Sequence, residues 1–384
     1  MADNAGAEFD YEICSSRIRP IAEGLIKKYE ELRHIDPDKI LFVVNHKSSG
    51  SKRQIVLAKT SKISPKWTEL LYQLGSCSYF YMIEFYANIC FPDYSNPCFS
   101  DAKLGDYQAE LANYRDWLAL FPDCDWIRYY ATEGREGAPF PYLSHGALTS
   151  GFFTFRNGWK QDATVMVVKA GPKGEWHCQP DNGTFELWFN GKNLFPDSGS
   201  YVYAGEGEVM EQRNWHRQTC VHNTVTLNNK NLDQTESVTK LWQPEGNVQI
   251  LVTENPSYKN LKHRRSVFFV DNTYFVIVDE MAGSGKGSIN LHYQMPKGEI
   301  ANSREDMTFV TQFEEGSNMK LQCFGPEGMT MKKEPGWCST AYRKRYKRMN
   351  VSFNVKKDGE DAVRYITVIC PIKNSADEIG RASC

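Results

Sequence analysis

From Pro141 onward the sequence is a succession of short apolar runs, each closed by Gly, Asn or Pro, and this spacing constrains the fold more than any other feature. Gly151-Phe-Phe-Thr-Phe-Arg156, Thr164 to Lys169, Thr184 to Phe189, Ser266 to Val270 and Tyr274 to Val278 have the aromatic and β-branched composition of strands. Between the last two, Asp271-Asn-Thr273 reads as a hairpin turn. Further strands are expected near 287–294, 307–313, 319–323, 348–354 and 364–370. Many short strands about ten residues apart predict a mainly β chain built as a large antiparallel sandwich.

The front of the chain has a different character. Ile21, Leu25, Ile26, Tyr29 and Leu32 stand at helical spacing within Ile18 to Arg33. Ile40 to Val44 and Gln54 to Ala58 read as two strands around a polar turn from Asn45 to Ser51, and Trp67 to Tyr86 reads as helical. A loop with Pro92 and Pro97 then leads to two helices, near Asp106–Leu120 and Trp126–Ala131. The expected organisation is an α/β segment over 1–86 unrelated to the rest, a few helices over 87–145, the sandwich over 146–376, and a non-native tail from Asp377 to Cys384.

Composition removes several functional classes. The 384 residues carry 45 Lys+Arg against 47 Asp+Glu, so a globally basic nucleic-acid binder is not expected. No apolar run is long enough for a transmembrane helix, and the first ten residues have neither the basic nor the apolar region of a secretory signal. Eleven cysteines scattered without CxxC spacing argue against a zinc ribbon or a disulfide framework. The 13% aromatic content suits strands and sugar-stacking surfaces equally.

Polar information is densest between residues 169 and 224. His177 and Gln179 share a face if their segment is extended, Asp197 sits in a Gly-containing turn, and His216, Arg217 and His222 follow closely. Gln179, Asp197 and His222 offer an amide oxygen, a carboxylate and an imidazole, a set that suits a divalent cation, with His177 beside it as an acid, base or charge-neutralising group. The alternative is that all are turn residues satisfying backbone groups in a β domain.

The stretch HCQPDNGTFELWFNGKNLFPDSGSYVY, followed by RNWHRQTCVHNT, resembles the C-terminal half of heparinase II/III-type polysaccharide lyases, the heparinase III branch above all. Residues 92–97, 127–132, 151–156 and 255–267 carry the same resemblance, which covers roughly 87–376. It implies an α/α toroid, of which only the last helices are present, ahead of the sandwich. It also implies β-elimination at a uronic acid of a sulfated glycosaminoglycan, heparan sulfate, outside the cell or in the periplasm. The resemblance assigns His177 as base or charge-neutralising residue. It assigns Gln179, Asp197 and His222 to one structural divalent cation, zinc or calcium, with Gln179 standing where many relatives have His. The family's toroid segments bearing a catalytic Asn and Tyr do not occur in this sequence, so the chain by itself is expected not to be a competent lyase. A non-catalytic, carbohydrate-binding sandwich is the alternative. Residues 1–86 faintly resemble the front of phage-type metallopeptidases but lack the HExxH zinc helix, so no activity is carried over.

A sulfated polyanion calls for arginine and lysine in its cleft, and Lys192, Arg213 and Arg217 are the nearest candidates. Tyr342-Arg-Lys-Arg-Tyr-Lys-Arg348 is the strongest basic run, either a solvated hairpin or a sulfate-binding element. Trp159, Trp176, Trp188 and Trp215 are expected to be core before they are sugar platforms, and His145 is a further candidate for lining the cleft. His216, His263 and His292 are expected to be structural, and the Gly-rich 282–287 a turn.

Overall fold

In the computed structural model, residues 40–48, 51–58, 80, 82–172, 177–233, 235–313 and 316–373 are described, the first two stretches by backbone alone. Contacts divide the chain into Met1–Ala87 and Asn88–Cys384. In the first unit, β1 (Ile40–Ser48) and β2 (Ser51–Ala58) form an antiparallel hairpin that keeps its register to Ser48↔Ser51. The strands therefore run into the expected seven-residue turn, and Asn45, His46 and Lys47 are strand residues paired with Gln54, Arg53 and Lys52. Of the two helices expected around them, 18–33 lies outside the described residues, and only 80 and 82–86 of the second are described, as helix.

The second unit opens with two helices, α1 (Tyr107–Leu120) and α2 (Asp125–Ala131). Asp106 caps α1 by accepting from the Ala109 N–H at 3.0 Å. The helices are joined by aromatic packing: Tyr114 stacks on Tyr130 at 4.7 Å, and Tyr94 meets both edge-on.

Three antiparallel sheets follow. A five-stranded sheet runs in order β3 (His145–Ala147), β4 (Phe152–Arg156), β5 (Thr164–Lys169), β6 (Phe185–Phe189), β7 (Lys192–Asn193). A four-stranded sheet contains β8 (Val225–Leu227), β13 (Gly287–Gln294), β17 (Thr330–Ala341) and β18 (Lys344–Lys357), ordered β17-β18-β13-β8. The eight-stranded sheet takes β9 (Val238–Gln243), β10 (Val248–Tyr258), β11 (Leu261–Val270), β12 (Tyr274–Ala282), β14 (Ile300–Ser303), β15 (Thr308–Thr311), β16 (Asn318–Phe324) and β19 (Val363–Ile372). Its inner face packs against both smaller sheets. Phe155 meets Phe269 and Phe275, Phe309 meets Phe353, and the Tyr293 hydroxyl bonds Thr367 at 2.9 Å. The expected sandwich is present, and Asp271 and Asn272, both at positive φ, make the expected tight turn.

The five-stranded sheet is buried on both faces, which explains why β5 reads as an unbroken apolar run instead of an alternating one. Met166 and Val168 face the main core, while Val165 and Val167 meet Phe91, Phe99 and Trp188. Residues 91–101 are thereby laid across the outer face of the sheet. That placement brings Asp101 to the site. Trp159, under the Arg156 guanidinium, and Trp188, stacked on Phe91, are core residues as expected, and Trp176 lies outside the described residues.

Candidate active site

The connection from β5 to β6, residues 170–184, carries His177 and Gln179 and is pinned at several points. Gly171 packs on Gly151 so closely that a Cβ would fall 2.3 Å from the Ser150 carbonyl oxygen. The Lys169 ammonium bonds Asp181 at 2.6 Å and the Ser100 hydroxyl at 2.6 Å, tying the connection to the 91–101 segment. The Asp101 N–H donates to the His177 carbonyl at 3.2 Å.

Here the side chains build a directed arrangement. His177 Nδ1 stands 3.0 Å from Asp101 Oδ2, and Arg213 grips the same carboxylate with both terminal nitrogens, at 3.1 and 2.9 Å. Asp101 and Arg213 are buried, whereas the His177 side chain is 69% exposed. Burial would raise the Asp101 carboxyl, but the hydrogen bonds from Arg213 and His177 and the Arg213 charge hold it below the ordinary carboxylate range. A carboxylate acceptor assigns the proton of the neutral ring to Nδ1, which leaves the Nε2 lone pair for a solvent-side partner.

Arg213 comes from α3 (Gly207–His216), a polar helix whose buried residues Arg213 and His216 are three apart and share one face. The expectation that Arg213 binds substrate is corrected. Its guanidinium is committed to Asp101 and to the Val202 carbonyl, so it positions the carboxylate instead of meeting an anion. Arg217 caps α3, is half-buried, and donates through Nη2 to the Cys178 carbonyl at 3.1 Å, adjoining His177. Lys192 is not brought to this cluster. It follows the far end of β6 and holds its ammonium 3.8 Å above the Phe313 ring. The five residues of β6 separate the two ends by about 16 Å.

Below His177, Gln179, Asp197 and His222 are linked through one turn. Gln179 Nε2 donates to the Ser100 carbonyl at 2.8 Å and to the Gly199 carbonyl at 3.4 Å. Gly199 donates to Asp197 Oδ1 at 2.9 Å, and Asp197 Oδ2 meets His222 Nδ1 at 2.8 Å. The turn requires glycine at 199, which has φ +69°, and a Cβ there would sit 2.0 Å from the Ser339 carbonyl oxygen. Glu186 underpins the same turn. Burial and the nearby Asp197 charge push its carboxyl up to about 8, and it accepts from the Cys98 N–H at 2.7 Å.

Two of the three residues that the resemblance assigns to a cation keep an acceptor atom without a partner. Gln179 Oε1 and His222 Nε2 are buried with no hydrogen-bond partner, and with His222 Nδ1 donating to Asp197, Nε2 is an acceptor. His216 Nε2 is likewise buried without a partner, its Nδ1 being spent on the Ser198 carbonyl at 2.8 Å. Unpartnered buried acceptors are what a cation satisfies. Among the described residues no group of three or more His, Cys, Asp or Glu side chains is placed to hold a metal, so any cation here depends on the glutamine amide.

His263 and His292 serve the fold. His263 bonds Asp279 at 2.7 Å and His292 bonds the Thr226 hydroxyl at 2.8 Å, and burial pushes the His292 imidazole down to about 3. His145 stacks on Tyr142 on the edge strand β3, and among the described residues no hydrogen bond joins it to the cluster. The sequence reading missed Asp101 and also Tyr203, whose exposed ring meets His177 edge-on at 5.7 Å. Asp101 is 76 residues from its histidine, with no motif linking them.

Comparisons with known proteins match the same part of the chain. A family model described as heparinase II/III-like, C-terminal, matches residues 141–368, and one described as heparinase II/III N-terminus matches 78–129. A phage metallopeptidase model matches 9–92. The chain is 86% identical over 296 residues to a heparin-sulfate lyase of Bacteroides stercoris, covering 77% of this chain and 44% of that protein. It is 38% identical over 293 residues to the heparin-sulfate lyase of Pedobacter heparinus, covering 76% of this chain and again 44% of the other. The chain thus spans less than half the length of these relatives. Among solved structures it resembles a heparinase III gene product with TM-score 0.80 and 78% identity, over 81% of this chain and 49% of that one. The heparan sulfate lyase from Pedobacter heparinus gives TM-score 0.79 at 34% identity over the same shares. With a family match over more than half of its residues, laid on the sandwich that carries His177, the chain belongs to the heparinase II/III-like family through the C-terminal domain.

Proposed function

We propose that the chain is the β-sandwich part of a polysaccharide lyase that cleaves a sulfated glycosaminoglycan of the heparan sulfate class by β-elimination. The observation that carries this is the exposed His177 ring fixed by a buried Asp101–Arg213 pair. A uronate carboxylate is already negative, so the proton on C5 is weakly acidic, and a positioned base is needed to take it. His177 Nε2 accepts the C5 proton. The C–H electrons form the C4–C5 double bond, and the C4–O bond breaks toward the leaving oxygen, which takes up a proton. Asp101 then faces an imidazolium whose charge it offsets.

Gln179 and His222, with Asp197 orienting the imidazole, are the residues that would hold one divalent cation, zinc or calcium. Bound there, it would stiffen the turn beneath His177 and supply no redox or hydrolytic chemistry. The groups that protonate the leaving oxygen and complete carboxylate neutralisation are assigned to the helical part of the longer relatives, so the chain alone is inactive in this reading.

The test is complementation. The chain, and residues 88–376 fused behind the helical half of the Bacteroides stercoris relative, are assayed for ultraviolet-absorbing unsaturated uronate from heparan sulfate. The chain alone should release none, the fusion should be active, and His177→Ala in the fusion should lose about 10²–10⁴-fold in kcat. An active His177→Ala fusion would falsify the role of His177. A fusion that binds the polysaccharide but never cleaves it would favour a non-catalytic carbohydrate-binding sandwich.

A further inference from the structure

We infer that the tip of the β17–β18 hairpin, together with Tyr203, forms a docking shelf for the anionic sugar unit next to the one facing His177. This rests on the lyase reading above and extends it to a specific binding surface. The hairpin belongs to the four-stranded sheet, yet its tip is clamped to the loop that follows Asp197. The Arg343 N–H donates to the Tyr201 carbonyl at 2.9 Å, the Ser339 N–H to the Ser198 carbonyl at 3.0 Å, and the Leu104 N–H to the Thr340 carbonyl at 3.0 Å. Tyr201 and Arg343 both sit at positive φ, 61° and 58°, a conformation that costs free energy at non-glycine residues and recurs where geometry serves a site.

The result is a continuous row of rings leading away from the histidine. His177 meets Tyr203 edge-on at 5.7 Å, and Tyr203 meets Tyr342 at 6.1 Å with a 34° tilt. These two tyrosines are 51% and 47% exposed, although neighbouring aromatics are spent on the core. A rigid apolar face with a polar edge, held in the open, suits the C–H face of a sugar ring.

Charge selects the ligand further. From Pro335 to Lys357 the chain contains no Asp or Glu, while Arg343, Lys344, Arg345 and Lys347 cluster at the tip. Among the described residues none of those four forms an ion pair, in contrast to Arg264 and Arg364, which bond Glu254 and Glu280. The Arg345 guanidinium carbon lies 4.0 Å from the centre of the Trp337 ring, which orients the group. A guanidinium held over an aromatic ring, beside lysines and exposed tyrosines, is complementary to a sulfated saccharide. Arg348, the last of the run, is excluded because it is buried and bonds the Ser198 hydroxyl at 2.6 Å.

The experiment is calorimetric titration of the full chain with a heparan sulfate octasaccharide and its desulfated counterpart, at low and physiological salt. Arg343→Asn/Lys344→Ser, with Asn chosen for its tolerance of positive φ, should weaken sulfated binding about tenfold and flatten its salt dependence. Tyr203→Ala/Tyr342→Ala should weaken both ligands, and Tyr203→Phe/Tyr342→Phe should restore them, which separates lost stacking from misfolding. Lys192→Ser, at the other end of β6, should bind as wild type. Wild-type binding with both shelf variants within twofold of it overturns the shelf alone. A wild-type chain that binds neither ligand, or both equally, overturns the shelf together with the substrate class proposed above.

Discussion

Two clusters in this molecule are made of the same three residue types, and they differ most in the exposure of the histidine. In the sandwich core, Arg265 grips Asp279 at 2.7 and 3.0 Å while His263 bonds the same carboxylate at 2.7 Å. At the site, Arg213 grips Asp101 through its two terminal nitrogens, and His177 bonds the carboxylate through Nδ1 where His263 uses Nε2. All three members of the first cluster are buried, and Arg265 also donates to the Gly183 and Asn223 carbonyls. In the second, the arginine and aspartate are buried and the imidazole is open to solvent. A fully enclosed trio holds elements together. A trio with its histidine outside gives that ring a fixed direction, a fixed proton and a free lone pair. The Asp–Arg pair is buried in both, so exposure of the third member separates structure from chemistry.

The comparison breaks most visibly at the core carboxylate. Asp279→Ala leaves Arg265 buried and unpaired, and should destabilise the chain by about 3–5 kcal/mol in urea unfolding. A loss below about 1 kcal/mol would show that the core trio does not hold β11 and β12 to the rest. Asp101→Asn should cost much less stability, but in the fused enzyme it should lower kcat by about 10²–10³-fold and depopulate the Nδ1–H tautomer of His177 in nitrogen-15 spectra. Unchanged kcat would reduce Asp101 to a structural residue like its counterpart.

Acid sharpens the contrast by a smaller margin. The Arg265 charge and the His263 hydrogen bond outweigh burial and hold Asp279 down to about 2, from an ordinary 3.8. A depressed carboxyl stabilises the fold above its unfolded value, and that contribution is lost as pH falls from 3.8 through about 2. Asp101 is lowered in the same direction but from a less enclosed position. Between those pH values the unfolding free energy of Asp101→Asn should keep most of the wild-type slope, and that of Asp279→Asn should not. The reverse order would mean that the more open pair is the stronger one.

The sandwich was readable where strands are bounded by turn residues. Thr164–Lys169 and Gly287–Gln294 match β5 and β13 in full, and Asp106–Leu120 matches α1 with its cap. β9, β17 and α3 were not read, because Val238–Gln243 and Thr330–Ala341 mix charged with apolar residues and α3 has no apolar stripe. The loop positions 177, 179, 197 and 222 stand out in the sequence through their density of polar groups and a family likeness. The roles of Arg213 and Lys192 were misread for one reason: closeness in sequence was taken for closeness to the cleft. Arg213 turned inward on a helix that was not foreseen, and Lys192 lay beyond a strand that carried it away.

Local sequence alone settled which segments run as many of the strands and which residues can form tight turns, since apolar patterning and backbone preference act within a few neighbours. The meeting of Asp101 with His177, and of Tyr342 with Tyr203, was decided only by packing. Phe91 and Phe99 must cover the second face of the five-stranded sheet, and covering it draws a carboxylate under a histidine from another part of the chain. Burial then removes water from the Asp–Arg pair and leaves the ring outside, a distinction that depends on what surrounds each residue and not on its identity.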